Sequence, residues 1–291
     1  MKIGMIGIGF VGGATAEVLR EKHEMLLYDK YRPEFPGYEG RINTQEALER
    51  MTEAEAIFLS LPTPMRSDGM IDLGPIHNSI RRTDEVFKGV TKEERPLIIL
   101  RSTAVSGTTD SLEAEYEYHF AFNPEFLVEK TALEDMRNTK RVVIGAKRKE
   151  DHELVERIYQ EVFPKAKYHR MATKEAEAVK YFANVALAGQ VMIANALYEI
   201  FNTAGLDYDK IREVAQEDER IGRNMKVPGP DKDLGFGGKC FPKDLNALIS
   251  YAKNLGVKPH LLETIWKENL RLRLVRDWEE IPGATSSKGF E

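Results

Sequence analysis

The sequence has a single cysteine among its 291 residues, so no disulfide can form within the chain. A lone thiol is typical of a reducing compartment, and we expect a cytoplasmic protein. Long apolar runs are lacking as well, whereas a membrane-spanning helix needs about 18 apolar residues or more in succession. The net charge of −5 gives no reason to expect nucleic acid or an anionic membrane as a partner. The six histidines show no metal-ligand spacing, so we expect no metal.

Hydrophobic residues make up 42% of the chain, which is enough for a sizeable core, and the length suggests about two domains. Up to about residue 170, short apolar runs alternate with polar helical stretches. This alternation predicts an α/β fold with a parallel sheet flanked by helices. The predicted strands are Ile3–Ile6, Met25–Tyr28, Ala56–Leu61, Leu97–Arg101, His119–Phe122 and Arg141–Ile144.

Beyond Thr173 the pattern changes to long helices. The predicted helices are Lys174–Ala204, which is amphipathic throughout, and then Asp207–Gln216, Pro242–Leu255 and Pro259–Glu280. The tail Ile281–Glu291 is polar, and we expect it to be loose. We therefore predict a Rossmann-like, doubly wound domain over residues 1–171, followed by a helical domain with a long central helix over residues 172–291.

A glycine motif follows the first predicted strand. Gly7-Ile8-Gly9-Phe10-Val11-Gly12 lies between that strand and a helix, which is the setting in which G-x-G-x-x-G binds a dinucleotide. The first two glycines permit a tight turn and close approach of a pyrophosphate, and the third permits close packing of helix and strand. Asp29 ends the second strand, where a carboxylate can accept both ribose hydroxyls and repels a 2′-phosphate, which favours NAD over NADP. The alternative is a glycine-rich turn in another α/β fold. We interpret the apolar start as part of this unit and not as a signal peptide.

The lone cysteine lies in Gly235-Phe236-Gly237-Gly238-Lys239-Cys240-Phe241-Pro242-Lys243-Asp244. Pro242 suits the first turn of a helix, which places the thiol at a helix N-terminus between two lysines. Partial positive charge there favours the thiolate, so we expect the thiol pKa to fall below about 8.5. Asp244 follows one helical turn later on the same side. The alternative is a small buried hydrophobe.

Other polar candidates follow strands or lie on helices, and ligands of doubly wound sheets bind where the strands end. These candidates are Leu61-Pro62-Thr63-Pro64, Arg101-Ser102-Thr103 and Asn123-Pro124-Glu125-Phe126-Leu127-Val128-Glu129. Glu125 and Glu129 could share one face, although a solvated helix face explains such a pair equally well. Lys180 and Asn184 share one face of a largely apolar helix, although a lysine can also extend its amine to solvent.

Taken together, these motifs resemble the UDP-glucose/GDP-mannose dehydrogenases, which use NAD to oxidise the C6 alcohol of a nucleotide sugar to a carboxylate. The matching segments are Gly7-x-Gly9-x-x-Gly12, Pro62-Thr63-Pro64, Ser102-Thr103, Asn123–Leu127, Lys180-x-x-x-Asn184, Asp218–Gly222 and Gly235–Asp244. The segment Val227–Asp231 resembles members that act on UDP-glucose.

The resemblance implies roles for individual residues. Cys240 is implied to form a thiohemiacetal and then a thioester, with Lys180 and Asn184 stabilising the oxyanion, Glu125 acting as general base and Asp244 ordering water. The implied catalytic residues are Cys240, Lys180, Asn184, Asp244, Glu125 and Thr103. The implied NAD-binding residues are Gly7, Gly9, Phe10, Val11, Gly12, Asp29, Leu61, Thr63, Pro64, Ser102, Thr103 and Glu129. The implied sugar-binding residues are Glu125, Phe126, Leu127, Val128, Glu129, Lys180, Asn184, Arg220, Phe236 and Gly237.

The resemblance also implies a homodimer built on the long helix, with Arg220 near the partner subunit's sugar site. We expect the apolar stripe of the last helix to be uncovered within one subunit and available for the dimer interface. This stripe includes Ile265, Trp266, Leu270 and Leu272. The sequence departs from the family in two ways. We expect it to be without the family's second Rossmann-like domain, which supplies further contacts to the nucleotide, and Arg101 stands where many relatives have lysine.

Three other functions stay open. The first is a non-catalytic module that binds NAD or a nucleotide sugar. The second is a dehydrogenase of GDP-mannose or a UDP-N-acetylhexosamine. The third is a β-hydroxyacid dehydrogenase, which has the same plan but needs no thiolate.

Overall fold

The computed structural model describes residues 1–286, which form two compact units. The first unit consists of Met1–Thr63 and Leu73–Lys180. The second consists of Pro64–Asp72 together with the described residues from Tyr181 onwards. The predicted domain division between residues 171 and 172 stays a prediction.

A seven-stranded sheet forms the centre of the first unit, in the order β2-β1-β3-β4-β5-β6-β7. The strands are β1 (Lys2–Ile6), β2 (Glu24–Tyr28), β3 (Ala56–Leu59), β4 (Leu97–Leu100), β5 (Phe120–Phe122), β6 (Arg141–Ala146) and β7 (Lys167–Met171). Neighbouring strands are parallel except β5 and β6, which pair antiparallel with Phe122 opposite Gly145.

Helices cover both faces of this sheet, as in other doubly wound folds. They are α1 (Phe10–Leu19), α2 (Gln45–Glu49), α3 (Gly74–Val86), α4 (Thr108–Glu115), α5 (Ala132–Arg137), α6 (Lys149–Gln160) and the first turns of α7 (Thr173–Thr203). Buried side chains of α1, α5 and α6 form one core with one face of the sheet. Those of α2, α3, α4 and the start of α7 form a second core with the other face.

The fold class and all six predicted strands are confirmed, and two details differ. The seventh strand, β7, was not predicted because its sequence is polar and its side chains are mostly exposed, as is usual for an edge strand. The antiparallel pairing of β6 was not predicted either, since an apolar run has the same pattern in both directions.

The second unit is helical. It contains α7 from Tyr181 onwards, α8 (Tyr208–Ala215), α9 (Phe241–Asn254) and α10 (His260–Leu272). Its largest core packs Met192 of α7, Phe236 of the glycine-rich segment and Leu245 of α9 against α10. The segment Pro64–Asp72 joins this unit through backbone bonds, since Met65 N donates to Ala284 O and Met65 O accepts from Ser286 N.

Three expectations for the C-terminal part were wrong. Helix α10 ends at Leu272, because Arg273 takes an extended conformation. Its apolar stripe is not uncovered, since Ile265, Trp266 and Leu272 pack into the core of the second unit. The tail is not loose up to Ser286, since Ala284 is buried. The rest of the expected tail, residues 287–291, lies outside the described residues.

Candidate active site

Each glycine of the N-terminal motif has its own structural reason. Gly7 has φ +90°, a conformation that side chains disfavour. A Cβ on Gly12 would lie 1.9 Å from Gly7 O, so this glycine lets α1 pack on β1. A Cβ on Gly9 would meet no atom within 4 Å. Gly9 is also the N-cap of α1, where backbone N–H groups attract phosphate, so the open space beside it suits a pyrophosphate. Phe10 and Val11 lie in the first turn of this helix and are half-buried.

Asp29 lies against the same turn. Its Oδ2 accepts from Ile8 N at 2.7 Å, and its Oδ1 accepts from Tyr31 N at 2.9 Å and Arg32 N at 3.0 Å. A carboxylate has about four acceptor positions, and backbone donors occupy three of them. The carboxylate is therefore fixed beside the glycine turn with room for about one further hydrogen bond, which is one fewer than the two ribose hydroxyls expected from the sequence.

The loops after β3 and β4 are joined through Ser102. Its hydroxyl accepts from Leu61 N at 2.8 Å and donates to Leu59 O at 3.3 Å. Thr63 is buried and Thr103 is half-buried. Pro64, which was predicted with these residues, belongs to the second unit.

A buried ion pair holds the loop after β5. Lys180 Nζ donates to Glu125 Oε1 and to Glu125 O, both at 2.8 Å, while Glu125 Oε2 accepts from Leu127 N at 2.7 Å. Lys180 and Glu125 are 4% and 6% exposed, so the lysine does not extend to solvent. Glu129 is exposed in a separate 3₁₀ turn. The two glutamates therefore do not share a helix face, because residues 123–128 are not helical.

Behind this loop lies a polar cluster of Arg101, Asn123 and Tyr159, of which the first two were candidates from the sequence and Tyr159 was not. Arg101 is buried, and its Nη1 donates to Asn123 Oδ1 and to the Tyr159 hydroxyl, while Tyr159 donates to the same oxygen at 2.6 Å. Burial raises the pKa of Tyr159, so the hydroxyl keeps its proton. The three side chains line a cavity of about 330 Å³, together with Glu125, Phe126 and Arg141.

Glu177 was also missed. It is fully buried on α7, and its carboxylate accepts from Gly107 N at 2.6 Å, Thr109 N at 2.7 Å and Thr109 Oγ1 at 2.6 Å. It thereby satisfies donors at the N-terminus of α4. Burial raises the pKa of this carboxyl, and the hydrogen bonds from Thr109 and Gly107 oppose that effect. A glutamate one turn before Lys180 on the same helix was the signal in the sequence.

The second unit contains the thiol. Cys240 is the N-cap of α9, at the helix N-terminus that the sequence predicts, and it is half-buried. Asp244 is 1% exposed, and its backbone N donates to Cys240 O at 2.8 Å. Its Oδ2 accepts from Asn184 Nδ2 at 2.5 Å and its Oδ1 accepts from Lys243 Nζ at 2.5 Å. Asp244 therefore fixes the amide of Asn184 and is itself neutralised by Lys243.

The remaining predicted sugar-binding residues of this unit differ in exposure. Phe236 is buried in the core, and Gly237 is half-buried. Arg220 is exposed and paired with Asp218, and this hydrogen-bonded pair lowers the pKa of Asp218 and raises that of Arg220. Among residues 1–286, no three His, Cys, Asp or Glu side chains are grouped so as to hold a metal ion.

Comparison with known proteins gives two matches to domains of one family. Residues 38–163 match the NAD binding domain of the UDP-glucose/GDP-mannose dehydrogenase family, and residues 174–271 match its central domain. The UDP-glucose 6-dehydrogenase of Haloferax volcanii is 31% identical over 298 residues, which cover 90% of this chain and 68% of that protein. The chain belongs to the UDP-glucose/GDP-mannose dehydrogenase family.

Two further members show the range of relatives. The GDP-mannose 6-dehydrogenase of Pseudomonas aeruginosa is 28% identical over 303 residues, which cover 92% of this chain and 68% of that protein. The solved UDP-glucose dehydrogenase of Pyrobaculum islandicum has a TM-score of 0.80 and 28% identity, covering 93% of this chain and 68% of that one. The chain thus spans about two thirds of the length of these family members.

Family membership confirms three predictions made from the sequence: the resemblance, the class of NAD-dependent oxidoreductase and NAD as the cofactor. The open, positively polarised turn at Gly9 and the carboxylate of Asp29 fit that cofactor. None of the helices within residues 1–286 has the length and apolar character that a membrane span requires.

Proposed function

We propose that the protein oxidises the C6 alcohol of a nucleotide sugar, UDP-glucose in the first place, to the carboxylate, with consumption of two NAD and one water. The observation that carries this proposal is the surroundings of Cys240. The only thiol of the chain lies at a helix N-terminus, beside a buried Asp244 that orients Asn184. A binding module or a β-hydroxyacid dehydrogenase has no use for this arrangement.

NAD would supply the hydride acceptor for each of the two oxidations of the C6 carbon. Gly9 and Asp29 would hold it, together with the loop fixed by Ser102. Cys240 attacks the aldehyde carbon formed by the first oxidation, forming a C–S bond. A covalent thiohemiacetal keeps the aldehyde on the protein until the second oxidation converts it to a thioester.

The polar groups stabilise the charge that develops during these steps. Asn184 uses one amide N–H for Asp244, so its second N–H can donate to the sugar oxyanion, and the ammonium of Lys180 serves the same purpose. Glu125 accepts a proton from the water that attacks the thioester. The C–S bond then breaks, the thiolate leaves, and the C6 carboxylate forms.

UDP-glucose is proposed as substrate because several matched relatives are named UDP-glucose 6-dehydrogenase. A GDP-mannose 6-dehydrogenase at 28% identity makes GDP-mannose the second candidate. The test is NADH formation with a panel of UDP-glucose, UDP-N-acetylhexosamines and GDP-mannose. We expect UDP-glucose to have the highest kcat/KM, and GDP-mannose as the best substrate would contradict the assignment.

A Cys240→Ser variant separates chemistry from binding. It should bind NAD with unchanged affinity, as measured by titration, but form no free sugar acid, because an oxygen ester resists hydrolysis more than a thioester. If the unaltered protein binds NAD but oxidises no nucleotide sugar, the protein is a non-catalytic binding module.

We further propose a homodimer through α7. Phe182, Ile193 and Ile200 are each more than half exposed, and their spacing places them on one face of this helix. Such an apolar face is typical of a protein–protein interface. Arg220, exposed in the same unit, is proposed to reach the partner subunit's sugar.

A further inference from the structure

The glycine-rich segment before Cys240 is held by side chains from outside it. Gly235 N donates to Asn195 Oδ1 on α7 at 3.0 Å. Phe236 N donates to Asn269 Oδ1 at 2.7 Å, and Phe236 O accepts from Asn269 Nδ2 at 3.0 Å. The amide of Asn269 on α10 therefore forms both backbone hydrogen bonds of Phe236.

These amides are out of contact with solvent. Asn269 is 0% exposed and Asn195 is 2% exposed. A buried polar group that loses its partner costs about 1–3 kcal/mol, so a buried amide with both ends bonded fixes the backbone to which it binds. Phe236 is itself part of the core, which fixes the segment from the apolar side as well.

A second pair of hydrogen bonds fixes the backbone two residues further on. Gly238 N donates to both carboxylate oxygens of Asp277 at 3.1 Å. Asp277 is in turn paired with Arg273 at 3.2 Å, and the buried Arg273 guanidinium also pairs with Asp231 at 2.5 Å and Asp233 at 3.4 Å. Three carboxylates thus surround one arginine, which fixes the carboxylate that binds Gly238.

The glycines of the segment fit the same explanation. A Cβ on Gly235 would lie 2.3 Å from Asn269 Oδ1. A Cβ on Gly237 would lie 2.3 Å from Asp277 Oδ1 and 2.4 Å from Arg273 Nη2. These two glycines leave room for the side chains that hold the segment, and not only for a ligand. Gly238 differs, since no atom lies within 4 Å of a Cβ there, and its φ of +74° is the reason for a glycine at that position; Gly235 has a positive φ of +65° as well.

We propose that Asn269 is a positioning residue for Cys240. Asp277, which is paired with Arg273, has the same role at Gly238. The effect expected on kcat rests on the proposed function, whereas the effect expected on the position of the thiol does not. The amide of Asn269 fixes Phe236 and Asp277 fixes Gly238, and Cys240 follows two residues later as the N-cap of α9. These two contacts therefore fix the backbone that leads to the thiol.

The first test measures the segment itself. Hydrogen–deuterium exchange of the amides of Phe236 and Gly238 is compared between the unaltered protein, Asn269→Ala and Asp277→Ala. Asn254→Ala, at the exposed end of α9, is the matched control. We expect exchange at Phe236 to be about tenfold faster or more in Asn269→Ala, since one net hydrogen bond corresponds to about that factor. Exchange within residues 245–254 should not change.

The second test measures the thiol, which is the only one in the chain, so a single mass increase reports Cys240 alone. At about pH 9.5, above the ordinary thiol pKa of about 8.5, the alkylation rate reflects mainly access to the sulfur. We expect Asn269→Ala and Asp277→Ala to react at least about threefold faster than Asn254→Ala. In turnover, kcat should fall about tenfold while KM for NAD stays within about twofold.

The outcomes separate this inference from the proposed function. If both variants match the control in exchange at Phe236 and Gly238 and in alkylation, the positioning role is refuted, whatever the protein catalyses. If the variants change exchange and alkylation but the unaltered protein oxidises no nucleotide sugar, the positioning of Cys240 is supported and the proposed reaction fails. If Asn269→Ala raises KM for NAD as much as it lowers kcat, the residue does not act through the thiol. Asp277 is about one-third exposed, so its variant should fold even if Asn269→Ala does not.

Discussion

Three glycines close together in the sequence should respond differently to the same substitution. At Gly9 a Cβ meets nothing within 4 Å, and at Gly12 it would lie 1.9 Å from Gly7 O. At Gly13 its nearest neighbour would be Phe35 Cε2 at 3.6 Å, an ordinary contact. The positions lie at or inside the start of α1, so they share backbone context but differ in what a methyl group meets.

The structure gives a magnitude for each. Gly12→Ala should destabilise the fold by about 1–3 kcal/mol or more, because the obstructing atom is backbone and cannot rotate away. Gly13→Ala should be neutral or stabilising by up to about 1 kcal/mol, since alanine favours the helix interior. Gly9→Ala should cost about 1 kcal/mol or less, because alanine is a poorer N-cap than glycine. It should nevertheless raise KM for NAD by about tenfold or more, because the methyl group occupies space that we assign to the pyrophosphate.

Urea unfolding gives the stabilities, and NAD titration gives the affinities. Gly13→Ala is the control for both. Undiminished NAD affinity in Gly9→Ala would refute the assignment of the open space to the cofactor. A stability of Gly12→Ala equal to that of Gly13→Ala would refute the packing argument for the third glycine.

Three further predictions concern cofactor choice, pH and assembly. The kcat/KM with NAD should exceed that with NADP by about 100-fold or more, because a 2′-phosphate beside the Asp29 carboxylate brings like charges together. Asp29→Ala should reduce this ratio of NAD to NADP. Equal ratios in the unaltered protein and the variant would contradict the role of Asp29 in cofactor choice. The raised pKa of Glu177 means that its protonated form contributes stability that is fully present below the unfolded pKa of about 4.5 and lost as pH rises through the folded pKa. The stability deficit of Glu177→Gln in urea unfolding should therefore shrink between pH 4.5 and pH 7, and a deficit that grows over this range would contradict it. Sedimentation should show a dimer, and Phe182→Asp should convert it to a monomer. The control Leu255→Asp, at another exposed apolar residue, should leave the protein dimeric. A dimer in both variants would place the interface elsewhere.

The parts of the fold that depend on local apolar patterns were predictable. Five parallel strands and four long helices follow from period and length, and the glycine turn follows from its position between strand and helix. Strand β7 was not predictable, because an edge strand with the sequence Lys-Tyr-His-Arg-Met has no apolar face to detect. The end of α10 was missed because Arg273 leaves the helix to meet carboxylates distant in sequence.

The candidate site was predictable where a motif or a helix placed residues next to each other. Cys240, Asp244, Lys180 and Asn184 follow from the family's motifs, and the structure places the two pairs Lys180–Glu125 and Asn184–Asp244 in direct hydrogen bonds. The roles of Asn195 and Asn269 could not be assigned in the same way. Their amides bond to the backbone of Gly235 and Phe236, which are distant in sequence, and hydrogen bonds to backbone leave no pattern in the residue types.

The stoichiometry of NADH formation tests the central claim most directly. With UDP-glucose as the limiting reagent and NAD in excess, absorbance at 340 nm gives the moles of NADH formed per mole of sugar. The account predicts two NADH per sugar, no aldehyde that a hydrazide can capture, and loss of the second NADH in Cys240→Ala. One NADH per sugar with aldehyde released, or two in Cys240→Ala, would contradict the covalent route through Cys240.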